Sequence, residues 1–190
     1  MDKLRSRLTI FVCMFAYALF CIYPYVKAQE QVQNSLVNEN EEIRGEFGNW
    51  LQICVKDTPQ CVAVQFALDI QGNRAGRFVL ERLPPNTESA ADSVITFFIP
   101  FEASIPILPN GLSFTIDSNA PFTEQFLFCD QLGCTSQFGM TDEGMILLRE
   151  GSNITIQIID IRDSNSRYIM DLDLDKFENI YEQLGKAGLN

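Results

Sequence analysis

The chain has 190 residues, a formal net charge of −11 and no histidine. An acidic surface is repelled by nucleic acid and by anionic lipid headgroups, which argues against partners of either kind. Without histidine, the chain lacks the commonest general base, the usual serine and cysteine triads and most catalytic zinc sites. The composition therefore disfavours the common hydrolases and metalloenzymes.

The N-terminus predicts an export signal over residues 1–28. Three basic residues precede an apolar run from Leu8 to Tyr23, and Val26-Lys27-Ala28 then offers small residues at positions −3 and −1 of a cleavage site. The apolar run is shorter than the roughly 20 residues that a permanent bilayer span needs. An uncleaved membrane anchor is the alternative. Cleavage would leave 162 residues (29–190) with a net charge of −14 and no permanent membrane span.

Four cysteines would remain after cleavage: Cys54, Cys61, Cys129 and Cys134. An even number of cysteines in an exported chain is typical of disulfides. Three pairings are open, and the two close spacings favour two local bridges. A redox pair and a four-thiolate zinc site are the alternatives, but neither spacing is Cys-x-x-Cys and an oxidising compartment disfavours zinc.

Composition divides the remaining chain into a leader and one domain. Residues 29–46 are rich in Gln, Asn and Glu, which predicts a flexible leader, and structure is expected to occupy residues 47–190. About nine or ten short β-rich runs follow, separated by turn signals. Leu112 to Ile116 and Ile154 to Ile158 alternate between apolar and polar residues, as half-buried strands do. Met145 to Leu148 is interpreted as another strand.

The last part of the chain predicts a short helix from Asp175 to Leu184. Asp175 stands where an N-cap is expected, and apolar residues recur at helical spacing from Phe177 to Leu184. The predicted fold class is thus all-β: an antiparallel β-sandwich of about 9–10 short strands with a short C-terminal helix.

No cofactor motif is found, and the carboxylates offer only weak candidates for chemistry. Asp117 and Glu81 are the best guesses for an acid–base pair. Asp171, Asp173 and Asp175 could hold calcium, but their alternation with Leu172 and Leu174 favours the solvated face of a strand. We therefore predict no catalytic residues, no metal site and no cofactor.

Phe97, Phe98 and Phe101 are the candidate partner patch. Adjacent strand residues point to opposite faces, so Phe97 and Phe98 cannot fill the same core layer. One of them is therefore a candidate for an exposed patch that meets a partner, unless the strand is covered on both sides.

An ordered set of landmarks resembles the invasion-associated locus B family, small exported proteins of Gram-negative bacteria. The landmarks cover residues 46 to 160, and they are Gly48-Asn49-Trp50 with Cys54 and Cys61, Ile107-Leu108-Pro109-Asn110-Gly111-Leu112, Ile116-Asp117, and Phe128-Cys129-Asp130-Gln131-Leu132-Gly133-Cys134. The resemblance implies a β-sandwich in the periplasm or outer envelope, linked in some pathogens to entry into host cells. It transfers no functional residues.

Two functions follow from these observations. The first is a noncatalytic envelope or secreted protein that supports host-cell interaction by binding a protein in the envelope or on a host cell. The second is a periplasmic structural or housekeeping factor for envelope integrity. A carboxylate-based hydrolase is the third and weakest hypothesis.

Overall fold

The computed structural model describes residues 37–84 and 91–187. The chain divides into two units, Met1–Glu41 and Glu42–Asn190. Of the first unit, the described residues form a turn in which the Glu41 amide donates to the Asn38 carbonyl. The predicted signal peptide and residues 29–36 of the predicted leader lie outside the described residues.

Eleven antiparallel strands form one continuous sheet. The strands are β1 (Glu41–Phe47), β2 (Trp50–Val55), β3 (Cys61–Asp69), β4 (Arg74–Arg82), β5 (Ser93–Pro100), β6 (Leu112–Ile116), β7 (Phe122–Glu124), β8 (Phe126–Cys129), β9 (Gly133–Met140), β10 (Asn153–Asp160) and β11 (Asp163–Asp173). Their order is β7-β6-β10-β11-β3-β4-β5-β9-β8, and β2 also pairs with β3 and carries β1 on its outer side.

The sheet is nearly closed on itself because its two ends belong to one chain segment. β7 pairs with β6 at one end of the sheet, and β8 pairs with β9 at the other, yet only Gln125 separates β7 from β8. The Ser136 hydroxyl on β9 donates to the Gln125 carbonyl at 2.8 Å, so this junction is fixed against β9. The prediction of an all-β antiparallel fold is confirmed, but the strands form one barrel-like sheet rather than two facing sheets.

A row of aromatic rings fills the interior of this sheet. Consecutive ring centroids lie 5.2 to 6.5 Å apart, mostly in edge-to-face contacts. Such contacts add to the stabilisation from burying apolar area. The rings, in spatial order, are Phe177, Trp50, Phe78, Phe97, Phe114 and Phe138. A Cβ on Gly76 would lie 2.4 Å from Cζ of Phe97, so glycine at this position lets the ring lie directly on β4.

Two α-helices accompany the sheet in the described residues: α1 (Asp142–Glu150) and α2 (Phe177–Ala187). Helix α2 buries Phe177, Ile180, Tyr181 and Leu184, as the helical spacing predicts. The Tyr181 hydroxyl donates to the Asp92 carboxylate, and burial raises the pKa of Tyr181. The helix begins at Phe177 rather than at Asp175, because Lys176 adopts a left-handed backbone conformation with φ 63°.

Two predictions about local structure are wrong. Met145 to Leu148 lies in helix α1 and not in a strand, because the Thr141 hydroxyl caps the helix by accepting from the Gly144 amide at 3.3 Å. Met145 and Leu148 are buried three residues apart, while the intervening residues are exposed. Strand β1 begins at Glu41, within the predicted leader, because backbone pairing with β2 orders a segment that buries little side-chain surface.

The inner and outer faces of β5 lead to a stability prediction. Phe97 is fully buried, whereas Phe98 is half-buried on the outer face. Phe97→Ala removes a ring from the aromatic row and leaves a cavity, so it should lower the free energy of unfolding by about 3–5 kcal/mol. Urea denaturation of the oxidised protein measures this change. Phe98→Ala is the matched control and should cost less than half as much; equal losses would contradict the assigned faces.

Candidate binding surface

The sheet topology brings four chain connections to the same end of the sheet. Four strands run in the same direction: β3, β5, β8 and β10. Along the sheet, a single antiparallel strand separates each of them from the next. Their C-terminal ends therefore lie together, followed by the connections at residues 70–73, 101–111, 130–132 and 161–162. These connections and the adjoining strand ends are here called the hairpin end.

The hairpin end carries most of the exposed large apolar side chains. Among the described residues, ten such side chains are exposed, and eight of them lie at this end. The other two, Ile146 and Leu147, lie on helix α1. Exposed apolar residues that gather on one face mark an interaction surface more often than scattered ones do. The eight residues are Leu68, Ile70, Ile105, Leu108, Leu127, Phe128, Leu132 and Ile161.

The β8–β9 hairpin is the most apolar of these connections. Leu127, Phe128 and Leu132 are 62%, 52% and 72% exposed. A disulfide joins Cys129 to Cys134, and the Asp130 carboxylate accepts from the amides of Leu132 at 2.8 Å and Gly133 at 3.1 Å. The turn is therefore fixed covalently and by hydrogen bonds, so its apolar side chains are presented on a rigid support.

The predicted patch of phenylalanines is only partly formed, because Phe97 points into the core. Phe98 and Phe101 are half-buried, and both lie against the β8–β9 hairpin. The Phe101 amide donates to the Leu132 carbonyl at 2.9 Å. A Cβ on Gly133 would lie 2.8 Å from the Phe98 ring, so glycine lets that ring cover the start of β9.

The register of three strands extends this apolar surface across the sheet. Phe128 on β8 pairs with Thr135 on β9, and Thr135 pairs with Phe98 on β5. Cross-strand partners share a face of the sheet, so these three residues form one row on the outside. Sequence reasoning found Phe98 but missed Phe128 and Leu127. The signal was the run Phe126-Leu127-Phe128, which does not alternate with polar residues.

Asp160 holds the 101–111 connection in place. Its carboxylate accepts from the Ser104 hydroxyl at 2.6 Å, from the Ile105 amide at 3.2 Å and from the Arg162 guanidinium at 2.5 Å. The same guanidinium donates to the Ala103 carbonyl at 2.9 Å. These bonds, led by those from Arg162, hold the pKa of Asp160 well below its usual range. Asp160 is thus a positioning residue that joins two connections of the hairpin end.

The carboxylates proposed for chemistry have structural partners or stand apart. Asp117 accepts from the backbone amides of Ser152 and Asn153 at 3.0 to 3.1 Å, while Glu81 is exposed on β4, so the structure does not bring these two together as a pair. Asp171 and Asp173 are exposed on β11 and accept side-chain hydrogen bonds from neighbouring strands and turns. Within residues 37–84 and 91–187, no cluster of His, Cys, Asp or Glu could hold a metal ion.

A polar depression of about 310 Å³ lies beside the start of α2. The Arg149 guanidinium spans it and donates to Glu178 at 2.5 and 2.6 Å, and this bond lowers the pKa of Glu178. Glu178 pairs with Arg149, and Asp175 pairs with Lys176 at 3.6 Å, so both cations that line the depression already have a carboxylate partner. The Arg149–Glu178 pair joins α1 to α2.

The sequence and fold identify the family. The family described as "Invasion associated locus B (IalB) protein" matches residues 50–185. The chain belongs to the IalB family. The resemblance noted from the sequence landmarks is therefore confirmed.

A solved structure has the same fold. The crystal structure of invasion associated protein B from Bartonella henselae superimposes with a TM-score of 0.62 at 15% sequence identity, over 77% of this chain and 98% of that chain. No curated protein gives a match. At this level of identity, the likeness to the Bartonella protein establishes the shared fold.

The second disulfide of this IalB-family domain joins Cys54 to Cys61 across β2 and β3. The structure thus forms the two local bridges that the cysteine spacings favour. None of the helices in the described part of the chain is long and apolar enough to cross a membrane.

Replacing Asp160 should make the stability less dependent on pH. Asp160→Asn removes a charged acceptor, so it should lower the free energy of unfolding by about 2–3 kcal/mol at pH 7. The folded-state pKa of Asp160 lies below the unfolded value of about 4. Its contribution is therefore complete above that value and is lost as the pH falls towards the folded-state pKa.

Urea denaturation at pH 7 and at pH 3 measures both effects. The difference between wild type and Asp160→Asn should shrink at pH 3. Asp57→Asn, at an exposed position in the β2–β3 turn, is the control and should change stability by less than about 0.5 kcal/mol. A difference that grows on acidification would overturn the role assigned to Asp160.

The Cys129–Cys134 bridge should stabilise the hairpin locally. Closing so short a loop constrains the unfolded chain modestly, so Cys129→Ser with Cys134→Ser should cost about 2 kcal/mol. Amide hydrogen exchange, followed by mass spectrometry, should become faster in residues 126–134 and stay unchanged in residues 50–64. In the matched variant, with serine at Cys54 and Cys61, exchange should become faster in residues 50–64 and stay unchanged in residues 126–134. Uniform acceleration in both regions would show that neither bridge acts locally.

Proposed function

We propose that this IalB-family protein is a noncatalytic exported protein that binds a protein partner through the hairpin end, and that this binding supports contact with a host cell. The observation that carries the proposal is the placement of eight of the ten exposed large apolar side chains of the described residues at that one end. Burying such side chains against a partner releases the same free energy that forms a core.

The rigidity of the hairpin end also supports binding. Interfaces gain affinity when their contact residues are ordered before the partner arrives, because less conformational entropy is lost. The Cys129–Cys134 bridge, the Asp130 turn and the Asp160 network each fix one part of this surface. Phe128 is 52% exposed, and aromatic residues of this kind are enriched at protein interfaces.

Export is supported by two features of the chain. The N-terminal sequence has the basic, apolar and small-residue order of a signal peptide. Both disulfides lie in hairpins with at least one half-exposed or exposed cysteine, and such bridges persist only in oxidising compartments. The link to host cells comes from the name of the family and of the Bartonella protein.

A surface variant tests the proposal. Phe128→Ser should reduce binding of the purified, oxidised protein to cultured host cells at least tenfold, because it removes the central aromatic contact. Flow cytometry with labelled protein measures the binding. Ile146→Ser, on helix α1 and 48% exposed, is the matched control and should bind as wild type does. Equal loss in both variants would contradict a role for the hairpin end.

The compartment is tested on the native protein by protease treatment of intact cells and of cells whose outer membrane has been opened. Digestion in intact cells is the expected result for a protein that meets a host cell directly. Protection until the membrane is opened would place the protein in the periplasm. That outcome would favour a housekeeping role in envelope integrity instead.

A further inference from the structure

We propose that strand β8 binds its partner by strand addition, and that the partner segment is extended, apolar and flanked by basic residues. The inference rests on the proposed function, since it specifies how the hairpin end would bind. In strand addition, main-chain hydrogen bonds to an open sheet edge supply affinity, and side-chain contacts on alternate residues supply specificity.

Strand β8 has an open edge. It stands last in the sheet order, and among the described residues it pairs with β9 alone. In an antiparallel strand, alternate residues direct their N–H and C=O groups to opposite sides. Within the described part of the chain, the side of β8 away from β9 therefore presents backbone groups that no strand pairs with, and an incoming strand can pair with them.

This edge lacks two of the features that usually prevent pairing with other chains, namely charged residues and proline. Natural sheets protect their edges with charged residues, proline or bulges that twist the strand away. β8 consists of Phe126-Leu127-Phe128-Cys129, with no charge and no proline. The strand is short, and its register against β9 shifts between Phe126 and Phe128. Among the described residues, two other strands pair on one side only: β7, which carries Glu124, and β1, which carries Glu41, Glu42, Arg44 and Glu46. The sequence thus places charged residues on these two strands and none on β8.

Carboxylates at both ends of β8 indicate the charge of the partner. Glu124 lies two residues before the strand, and Asp130 follows it directly. Glu102 is exposed in the 101–111 connection, which the Phe101 amide bonds to the β8–β9 hairpin. A segment with basic residues on either side of an apolar stretch would pair its charges with these groups.

The same charges disfavour a second copy as the occupant. If two β8 strands paired in antiparallel fashion, the Asp130 end of each strand would approach the Glu124 end of the other. Like charges opposite each other across a strand pair are destabilising. The net charge of −11 adds repulsion over longer distances.

Three synthetic peptides and the full oxidised protein test this proposal. The first peptide alternates valine and threonine over seven residues and has a lysine at each end. The second has glutamate ends, and the third has lysine ends with proline at its centre. Isothermal titration should show binding of the first, at least tenfold weaker binding of the second and no binding of the third. Raising the salt concentration should reduce the difference in affinity between the first and second peptides, because salt screens charge pairs.

Leu127→Lys places a charge on the open edge and should lower the affinity for the first peptide at least tenfold. Ile146→Lys is the matched control and should leave its affinity unchanged. Hydrogen exchange should show protection of residues 126–129 when the first peptide is bound. Binding of the proline peptide as tightly as the first, or no effect of Leu127→Lys, would overturn strand addition.

The remaining outcomes separate this inference from the proposed function. If no peptide binds but Phe128→Ser still reduces binding to host cells, strand addition is wrong, and the proposal that the hairpin end binds a partner is retained. If sedimentation shows a dimer that Leu127→Lys dissolves, the occupant is a second copy and the inference is overturned. If the peptides bind as expected but Phe128→Ser does not reduce binding to host cells, the open edge binds extended strands and the proposed host-cell role is wrong.

Discussion

Residues 122–129 close the sheet, and both the buried core and the hairpin end follow from this closure. One short segment pairs with β6 before Gln125 and with β9 after it, so both ends of the sheet meet in a single strand. Closure defines an inside, which the aromatic row from Phe177 to Phe138 fills. Neighbouring strands along the sheet run antiparallel, and this alternation of direction gathers four connections at one end.

Closure leaves β8 with an open side because the segment changes partners halfway along. A strand that pairs along its whole length with a neighbour on each side has no free backbone groups. In residues 122–129, β7 pairs only with β6 and β8 pairs only with β9 among the described strands. The apolar run at β8 would be an aggregation hazard in an ordinary edge strand. A partner bound at this edge would explain an apolar run beside a disulfide and an ordered turn. The edge of β1, in contrast, carries charged residues of the kind that prevent such pairing.

Local patterns predicted the elements well and their arrangement less well. The alternation in Leu112 to Ile116 and Ile154 to Ile158, the spacing from Phe177 to Leu184 and the short cysteine separations each depend on neighbouring residues, so each was visible in the sequence. Closure of the sheet and the gathering of the hairpin end depend on pairing between distant strands, which no local period encodes. Met145 to Leu148 was misassigned because the Thr141 cap, and not apolar periodicity, decides that segment. Phe97 and Phe98 could be assigned to opposite faces, but only the structure shows which one points inward.

The role of the hairpin end is tested most directly by hydrogen exchange of the native protein, free and bound to its protein partner, compared region by region. On binding, we expect slower exchange in residues 126–134 and 160–163 and no change in α1. Protection confined to α1, or to the outer strand β1, would show that the apolar hairpin end is not the surface through which this protein acts.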